Sequence, residues 1–298
     1  MHTFNNAVLI YNKHAGDDDV EAKLAAVVPI LGKSVKELTI VRPDSPEEMA
    51  RICEASCDMD LVVIMGGDGT VHQCVNTIFT LPVRPLLAIL PGGTSNDFTR
   101  TLGIPQDLRE AAEALVNGEI RAIDIGKEGD HHFINFWGIG LVAETSENVN
   151  ENQKKSFGSL SYIASTIRTA RAAESFEYHI LADGADLRGE AVAIFVLNGS
   201  SLATTSIPIA AISPSDGKLD VLVMKNSNLA MLRELLSLRN PDTTNEQLDM
   251  LEYIQASELT IRAAGQEKVD MDGELYEFQS GRIEVLKGHL NMLCPRAT

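Results

Sequence analysis

Twice in a short stretch of chain, a run of five apolar residues stops at a pair of glycines. Leu61-Val62-Val63-Ile64-Met65 leads into Gly66-Gly67, and Leu86-Leu87-Ala88-Ile89-Leu90 leads through Pro91 into Gly92-Gly93. Short apolar runs bounded by turn residues read as buried strands. Helical segments follow, one to about Phe79 and one over Leu108–Asn117 that Gly118 stops. Upstream, Ala7–Tyr11 and Val35–Val41 read as strands and Val20–Leu31 as a helix. Ser45-Pro46-Glu47-Glu48 opens another helix, to about Cys57: Ser45 is the N-cap, Pro46 the first helical residue, and Glu48 closes a capping box. Strands that alternate with helices through short turns imply a parallel sheet with helices on both faces. The first part of the chain is thus expected to be a doubly wound α/β domain.

After Asp124 the texture changes. His132–Trp137, Phe176–Ala182, Glu190–Asn198, Leu219–Lys225, Glu258–Ala263, Glu267–Met271 and Arg282–Leu286 read as strands, and only Leu160–Ala172 and Leu229–Leu238 as helices. Runs of strands imply a second, β-rich sandwich domain. The expected division is 1–125 for the α/β domain and 126–287 for the β-rich domain, with a tail, 288–298, packing back on the first. The chain of 298 residues, 44% of them hydrophobic, is long enough for two cores.

The bulk numbers exclude several classes. A formal charge of −17 is a poor basis for nucleic-acid binding or for broad adhesion to anionic membrane. No apolar stretch approaches the roughly 18 residues of a membrane span. The start, Met1-His2-Thr3-Phe4, lacks a basic region followed by a long apolar one, so the chain reads as cytoplasmic. Its four cysteines, Cys53, Cys57, Cys74 and Cys294, agree with a reducing compartment. Cys53 and Cys57 have no second Cys or His pair nearby and read as packing thiols, not a zinc site.

The two glycine turns carry the chemistry. Gly66-Gly67-Asp68-Gly69-Thr70 lets the backbone approach a phosphate, and the helix that follows offers its free N–H groups to the anion. No Lys-Ser/Thr pair follows, so this is not a Walker loop. The loop carries Asp68 instead, and a carboxylate beside phosphate asks for a cation such as Mg²⁺. The second turn is Pro91-Gly92-Gly93-Thr94-Ser95-Asn96-Asp97-Phe98. If both strands share the parallel sheet, both turns lie on one rim, where such sheets bind ligands, and Asp68 and Asp97 face one site. Taken singly, each could be an ordinary tight turn with Asp and Asn as turn formers.

Together these motifs resemble the catalytic signature of diacylglycerol kinases, sphingosine kinases and their bacterial lipid-kinase relatives. The second motif is similar to P-x-G-T-x-N-D-F-A-R, with Thr99 in place of alanine. Asn12-Lys13-His14-Ala15-Gly16 resembles N-P-x-A-G, Asp216-Gly217-Lys218-Leu219 resembles D-G-x-L, and Asp272-Gly273-Glu274 matches D-G-E. The resemblance spans nearly the whole chain in order. It implies an ATP-dependent lipid kinase, with diacylglycerol as the default acceptor and phosphatidic acid as product. By the same resemblance, Gly66, Gly67, Asp68, Gly69, Thr70, Val71 and His72 hold the ATP phosphates. Thr94, with Asn96 in the same motif, contacts the nucleotide, as does Thr39 after the second strand. Asp68, Asp97 and Asp124 order Mg²⁺ and water, and Glu274 is the general base, facing the nucleotide across a cleft between domains. Ser213, Asp216 and Lys218 form a structural Mg²⁺ site, for which a plain turn is the alternative. Asp272-Gly273 read alone is a hairpin turn, and it can be both.

Two departures stand out. The family continues GGDGT with a hydrophobic residue and Asn-Glu, but here the chain reads Val71-His72-Gln73. A glycine cluster usually follows Asn-Gly, but Asn198-Gly199 is followed by Ser200-Ser201-Leu202-Ala203-Thr204-Thr205-Ser206. The competing functions are a catalytically weakened nucleotide- or lipid-binding member and an NAD-kinase-like metabolite kinase. The expected partners are ATP and a lipid alcohol at the membrane surface, met by peripheral contact; the resemblance also admits a homodimer. A helix over Leu160–Ala172, flanked by Lys154, Lys155, Arg168 and Arg171, either touches that surface or packs on the β domain.

Overall fold

Ser45 shows how locally the chain sets its elements. Its hydroxyl accepts the Glu48 N–H at 3.2 Å, and the helix starts at Pro46. The reciprocal arm of the expected capping box goes one residue further back: the Glu48 carboxylate accepts the N–H of Asp44, not of Ser45, at 2.7 Å. The computed structural model describes residues 2–12, 20–140, 175–278 and 281–296. Lys13–Gly16 and the helix expected over Leu160–Ala172, with its flanking basic residues, lie outside the described residues.

The chain divides into two units, residues 1–123 with 288–298, and residues 124–287. The first runs β1 (Phe4–Tyr11), α1 (Val20–Leu31), β2 (Val35–Val41), α2 (Pro46–Ala55), β3 (Leu61–Gly66), α3 (Asp68–Ile78), β4 (Leu86–Pro91), α4 (Asp97–Thr101), α5 (Leu108–Val116) and the start of β5 (Glu119–Glu128). Its strands are parallel in the order β2-β1-β3-β4. Every residue of β3 is buried, which is why its sequence is a continuous apolar run and not an alternating one. Helices pack in pairs, α1 with α5 and α2 with α3. Cys53 and Cys74 are buried where α2 meets α3, and the Cys74 Sγ lies 3.3 Å from the Met49 Sδ.

The second unit holds β6 (His131–Phe133), β7 (Phe136–Gly140), β8 (Phe176–Ala182), β9 (Ala185–Ala191), β10 (Ala193–Leu197), β11 (Ser201–Leu202), β12 (Thr205–Ser206) and β13 (Leu219–Met224). It continues with α6 (Leu229–Ser237), β14 (Leu251–Ala256), β15 (Glu258–Ala263), β16 (Lys268–Met271), β17 (Glu274–Glu277) and the first half of β18 (Arg282–Cys294). One sheet has the order β14-β13-β10-β7-β16-β17; the other pairs β18, β15, β8 and β9 in turn. Trp137, Ile194 and Val221 of the first sheet and Ile180, Ile261 and Ile283 of the second share one core, so this is a β-sandwich. The outer face of the first sheet is covered by Met231 and Leu235 of α6, packed with Phe136 and Leu222.

Three expectations need correction. Thr39 does not follow the second strand but lies inside β2, opposite Val8, because the β-branched run continues to Val41 before Arg42-Pro43 ends it. His132–Trp137 is two strands: the backbone N–H groups of Ile134, Asn135 and Phe136 leave the ladder for the Asp272 carboxylate. Glu190–Asn198 is also two, β9 and β10, separated at Val192, which donates to Met224 O.

Candidate active site

At the ends of β3 and β4 the glycines pack backbone against backbone. Gly66 pairs with Pro91, and the Gly92 N–H donates to Gly66 O at 2.9 Å. A Cβ on Gly93 would stand 2.5 Å from the Gly67 Cα, and one on Gly92 would stand 2.7 Å from the Gly66 nitrogen. Both contacts are closer than any side chain tolerates. The expectation that the two turns share one rim therefore holds in this unit, and their glycines are required by each other before any ligand is considered.

Asp68 locks the pair. Its Oδ2 accepts the Asn96 N–H at 2.9 Å and its Oδ1 accepts the Asp97 N–H at 2.7 Å, so a carboxylate from the first turn caps the helix that the second turn opens. Asn96 sits at φ 51°, a conformation Asn tolerates, and closes a ring on Gly93: the Gly93 N–H donates to Asn96 Oδ1 at 2.8 Å and Asn96 Nδ2 donates to Gly93 O at 2.9 Å. The repulsion a carboxylate would bring to a phosphate loop is thus met first by two backbone dipoles. Asp97 is buried at the start of α4.

The turn is shorter than the motif suggests. Helix α3 begins at Asp68, so Gly69, Thr70, Val71 and His72 form its first turn. The N-cap is Gly67, with no side-chain cap, which leaves N–H groups at the helix start for an anion. Val71 and His72 are buried, so what they can offer a ligand is backbone. Thr70 Oγ1 accepts Asn12 Nδ2 at 3.2 Å, which ties the end of β1 to the loop. Thr94 is exposed at the tip of the second turn, and Thr39 is exposed on the edge strand β2. Gln73, where the family carries Glu, donates to Pro46 O at 2.9 Å and so ties α3 to α2.

In the second unit, Asp272-Gly273 is the hairpin turn between β16 and β17, with φ 55° and 94°. Asp272 is buried and accepts three backbone N–H groups: Ile134 at 2.8 Å on Oδ2, Asn135 at 2.8 Å and Phe136 at 2.9 Å on Oδ1. Glu274 follows as the first residue of β17, exposed. Sequence reasoning singled out Glu274 and passed over Asp272, whose partners are more than a hundred residues away. It also missed Asn135, which donates through Nδ2 to Ser201 O at 2.8 Å and accepts the Asn198 and Gly199 N–H groups on its carbonyl.

Asp124, 1% exposed, falls in this second unit. Its Oδ2 accepts the Gly217 N–H at 2.5 Å, its own N–H donates to Pro214 O, and its carbonyl accepts Asn198 Nδ2. Of the expected acidic trio, Asp68 and Asp97 are joined directly, whereas Asp124 is bound to the loop of Asp216. On that loop, Asp216 is exposed and accepts the Lys218 N–H at 2.9 Å, and the Ser213 hydroxyl lies 3.4 Å from that of Ser215. Among the described residues no group of three or more His, Cys, Asp or Glu is arranged to hold a metal. The Ser213–Asp216–Lys218 set, with one carboxylate and two carbonyls, has one feature that suits a cation. Asp220, fully buried beside it, takes Tyr253 OH and Gln255 Nε2 on Oδ1 and has no partner on Oδ2. Burial first, and then the Asp216 charge, push its carboxyl up to about 6, against the lowering by those two donors.

Residues 6–128 match the diacylglycerol kinase catalytic domain, and residues 137–294 match the YegS C-terminal NAD kinase beta sandwich-like domain. A Staphylococcus haemolyticus protein named "Putative lipid kinase" is 33% identical over 296 residues, which are 97% of this chain and 96% of that one. A Staphylococcus aureus protein of the same name is 30% identical, with 97% of each chain covered. Two Bacillus anthracis crystal structures align over 99% of this chain and 98% of theirs. One, titled a putative diacylglycerol kinase, gives a TM-score of 0.88 at 35% identity, and one titled as diacylglycerol kinases gives 0.83 at 32%. With both domains matched in order and relatives aligned along nearly its full length, the chain belongs to the diacylglycerol kinase catalytic-domain family of lipid kinases.

Proposed function

We propose that this protein transfers the γ-phosphate of ATP to the hydroxyl of a diacylglycerol-class lipid, giving phosphatidic acid and ADP. The observation that carries this reading is the pair of glycine turns locked by Asp68, with the uncapped start of α3 beside them. That start supplies N–H groups and a positive dipole end to the polyphosphate. Phosphoryl transfer asks a protein mainly to position its reactants and neutralise charge. The lipid oxygen attacks the γ-phosphorus, the bond to the β-phosphate oxygen breaks, and Glu274 takes the hydroxyl proton. Asp68, Asp97 and Asp124 would be the residues that order a Mg²⁺ ion and its waters, and the ion would supply charge neutralisation on the phosphates. Asp216 with the carbonyls of Ser213 and Lys218 would hold a structural Mg²⁺, mixed oxygen ligands of the kind hard cations accept. The acceptor is met at a membrane surface by peripheral contact. Among the described residues no helix is long and apolar enough to cross a membrane.

The test is transfer of labelled phosphate from ATP to a panel of lipid alcohols in mixed micelles with Mg²⁺, beside Glu274→Gln. Labelled phosphatidic acid is expected from the wild type, with at least about a hundredfold less from the variant at unchanged ATP affinity. Transfer that survives in the variant removes Glu274 as base and keeps the kinase. Transfer to NAD instead, or ATP binding with no transfer to any alcohol, overturns the lipid-kinase reading.

A further inference from the structure

Three sulfur atoms that phosphate transfer does not use meet where α2 packs on α3. Met49 and Cys53 stand four residues apart on α2, so their side chains lie on one face, and they are the buried residues of that helix. Cys74 of α3 is buried against them. Its Sγ lies 3.3 Å from the Met49 Sδ, and its thiol shares a hydrogen bond with that of Cys53. Met49 is 2% exposed and both cysteines are 0% exposed. Gln73, the residue before Cys74, donates to Pro46 O at the start of α2, so the two helices are fastened beside the sulfurs they carry.

A thioether and two thiols in contact are soft ligands. They select an ion such as Cu(I) over Mg²⁺ or Ca²⁺, which take oxygen. Zinc is a poor match: it asks for four ligands in a tetrahedron, and among the described residues no His, Asp, Glu or further Cys completes the set. Three sulfurs in a plane around one ion, at about the 2.3 Å of a metal–thiolate bond, stand about 4 Å apart. The 3.3 Å contact has to open by about 0.7 Å to admit the ion, a movement that the three rotatable bonds of an unbranched Met supply.

We propose that Met49, Cys53 and Cys74 form a binding site for one soft monovalent metal ion of the Cu(I) kind, held by two thiolates and a thioether. Each thiol gives up its proton to solvent as its sulfur bonds to the ion, and nothing is oxidised or reduced. The proposal stands apart from the nucleotide reading and survives its failure.

The test is competition for Cu(I) between the full chain and a chromogenic Cu(I) chelator in anaerobic buffer. The wild type is expected to take one equivalent, with an affinity that rises with pH as the released protons require. Cys53→Ala and Cys74→Ala are each expected to weaken binding by at least about a hundredfold, the upper end of what even an outer partner of a metal ligand costs when lost. Met49→Leu conserves volume and so keeps the core. It is expected to weaken binding about tenfold, and it carries the test should a cysteine variant melt early. Cys57→Ala and Cys294→Ala are expected to bind as the wild type does, and X-ray absorption at the copper edge to show sulfur neighbours alone. Failure of the wild type to take copper from the chelator overturns the proposal. So does undiminished uptake in Cys53→Ala, Cys74→Ala or Met49→Leu, uptake lost in Cys57→Ala or Cys294→Ala, or a copper edge with nitrogen or oxygen neighbours.

Discussion

Gly93 decides more of this site than most residues with side chains could. Its Cα faces that of Gly67, and a methyl group there would meet the Gly67 Cα at 2.5 Å and Asn96 Oδ1 at 3.1 Å. Neither neighbour can yield: one is backbone, and the other is fixed by the ring Asn96 closes on Gly93. Gly93→Ala is therefore expected to force the two turns apart, costing about 1–3 kcal/mol as overpacking does, and to abolish ATP binding. Gly103 makes the control. It needs glycine for its φ of +73°, but a Cβ there meets nothing within 4 Å. Gly103→Ala should cost about 1 kcal/mol and leave the nucleotide alone. Thermal melts with an ATP titration on each variant separate these; equal ATP affinity in both would refute the packing argument.

Among elements, β5 and β7 meet at a buried carboxyl group. Glu128, at the end of β5, accepts the indole N–H of Trp137 on Oε2 at 2.7 Å inside the sandwich. Burial raises its pKa, with the indole and a backbone N–H of Gly281 opposing. A carboxyl group whose folded pKa lies above its unfolded one binds more protons in the folded state. Its stabilising contribution is then complete below the ordinary glutamate value and is lost as pH rises toward the raised one. Glu128→Gln keeps an acceptor for Trp137 and removes the titration. Its melting temperature should match the wild type near pH 4.5 and exceed it by a growing margin toward pH 8; a constant difference across that range would refute the assignment. The same strand shows what sequence could not reveal. β5 carries Glu119, Arg121, Asp124, Lys127 and Glu128 among its apolar residues, so it presents neither an apolar run nor clean alternation. β9 is an exposed edge strand and β17 a short one, each with little burial to leave a mark. β3 and β13 were legible because every residue in them is buried. The same divide runs through the site. Glycine turns declare themselves locally, whereas Asp272 depends on N–H groups at 134–136, and no spacing rule connects those positions.

On the scale of the whole molecule, the chain treats its second unit as an insertion into its first. β5 leaves the α/β unit after Ile123, and β18 returns to it at Gly288. The returning stretch is part of the α/β core: Leu290, Met292, Leu293 and Cys294 are buried, Met292 pairs in parallel with Leu87 of β4, and Arg84 Nε donates to His289 O at 3.1 Å. Cys294 O also occupies the space a side chain on Gly118 would need. Cutting the chain after Lys287 strips those apolar side chains from the sheet, at roughly 1.5–3 kcal/mol for each large one. The sum rivals the whole stability of an ordinary domain. The truncated chain is expected to lose ATP binding and to expose residues 2–123 to limited proteolysis, although every glycine-turn residue remains. The converse chimera should restore it. A Cβ on Gly288 would lie 3.5 Å from the Ala122 Cβ, so the exit and return points are neighbours. A flexible linker of about four glycine and serine residues can span such a gap. Residues 2–123 joined in this way to 288–296 are expected to fold and bind ATP with no β-sandwich present, and to transfer no phosphate, because Glu274 is gone. A chimera that stays unfolded, beside a truncated chain that melts cooperatively and binds ATP, would show that the returning strand is dispensable and that the α/β unit draws its stability from elsewhere.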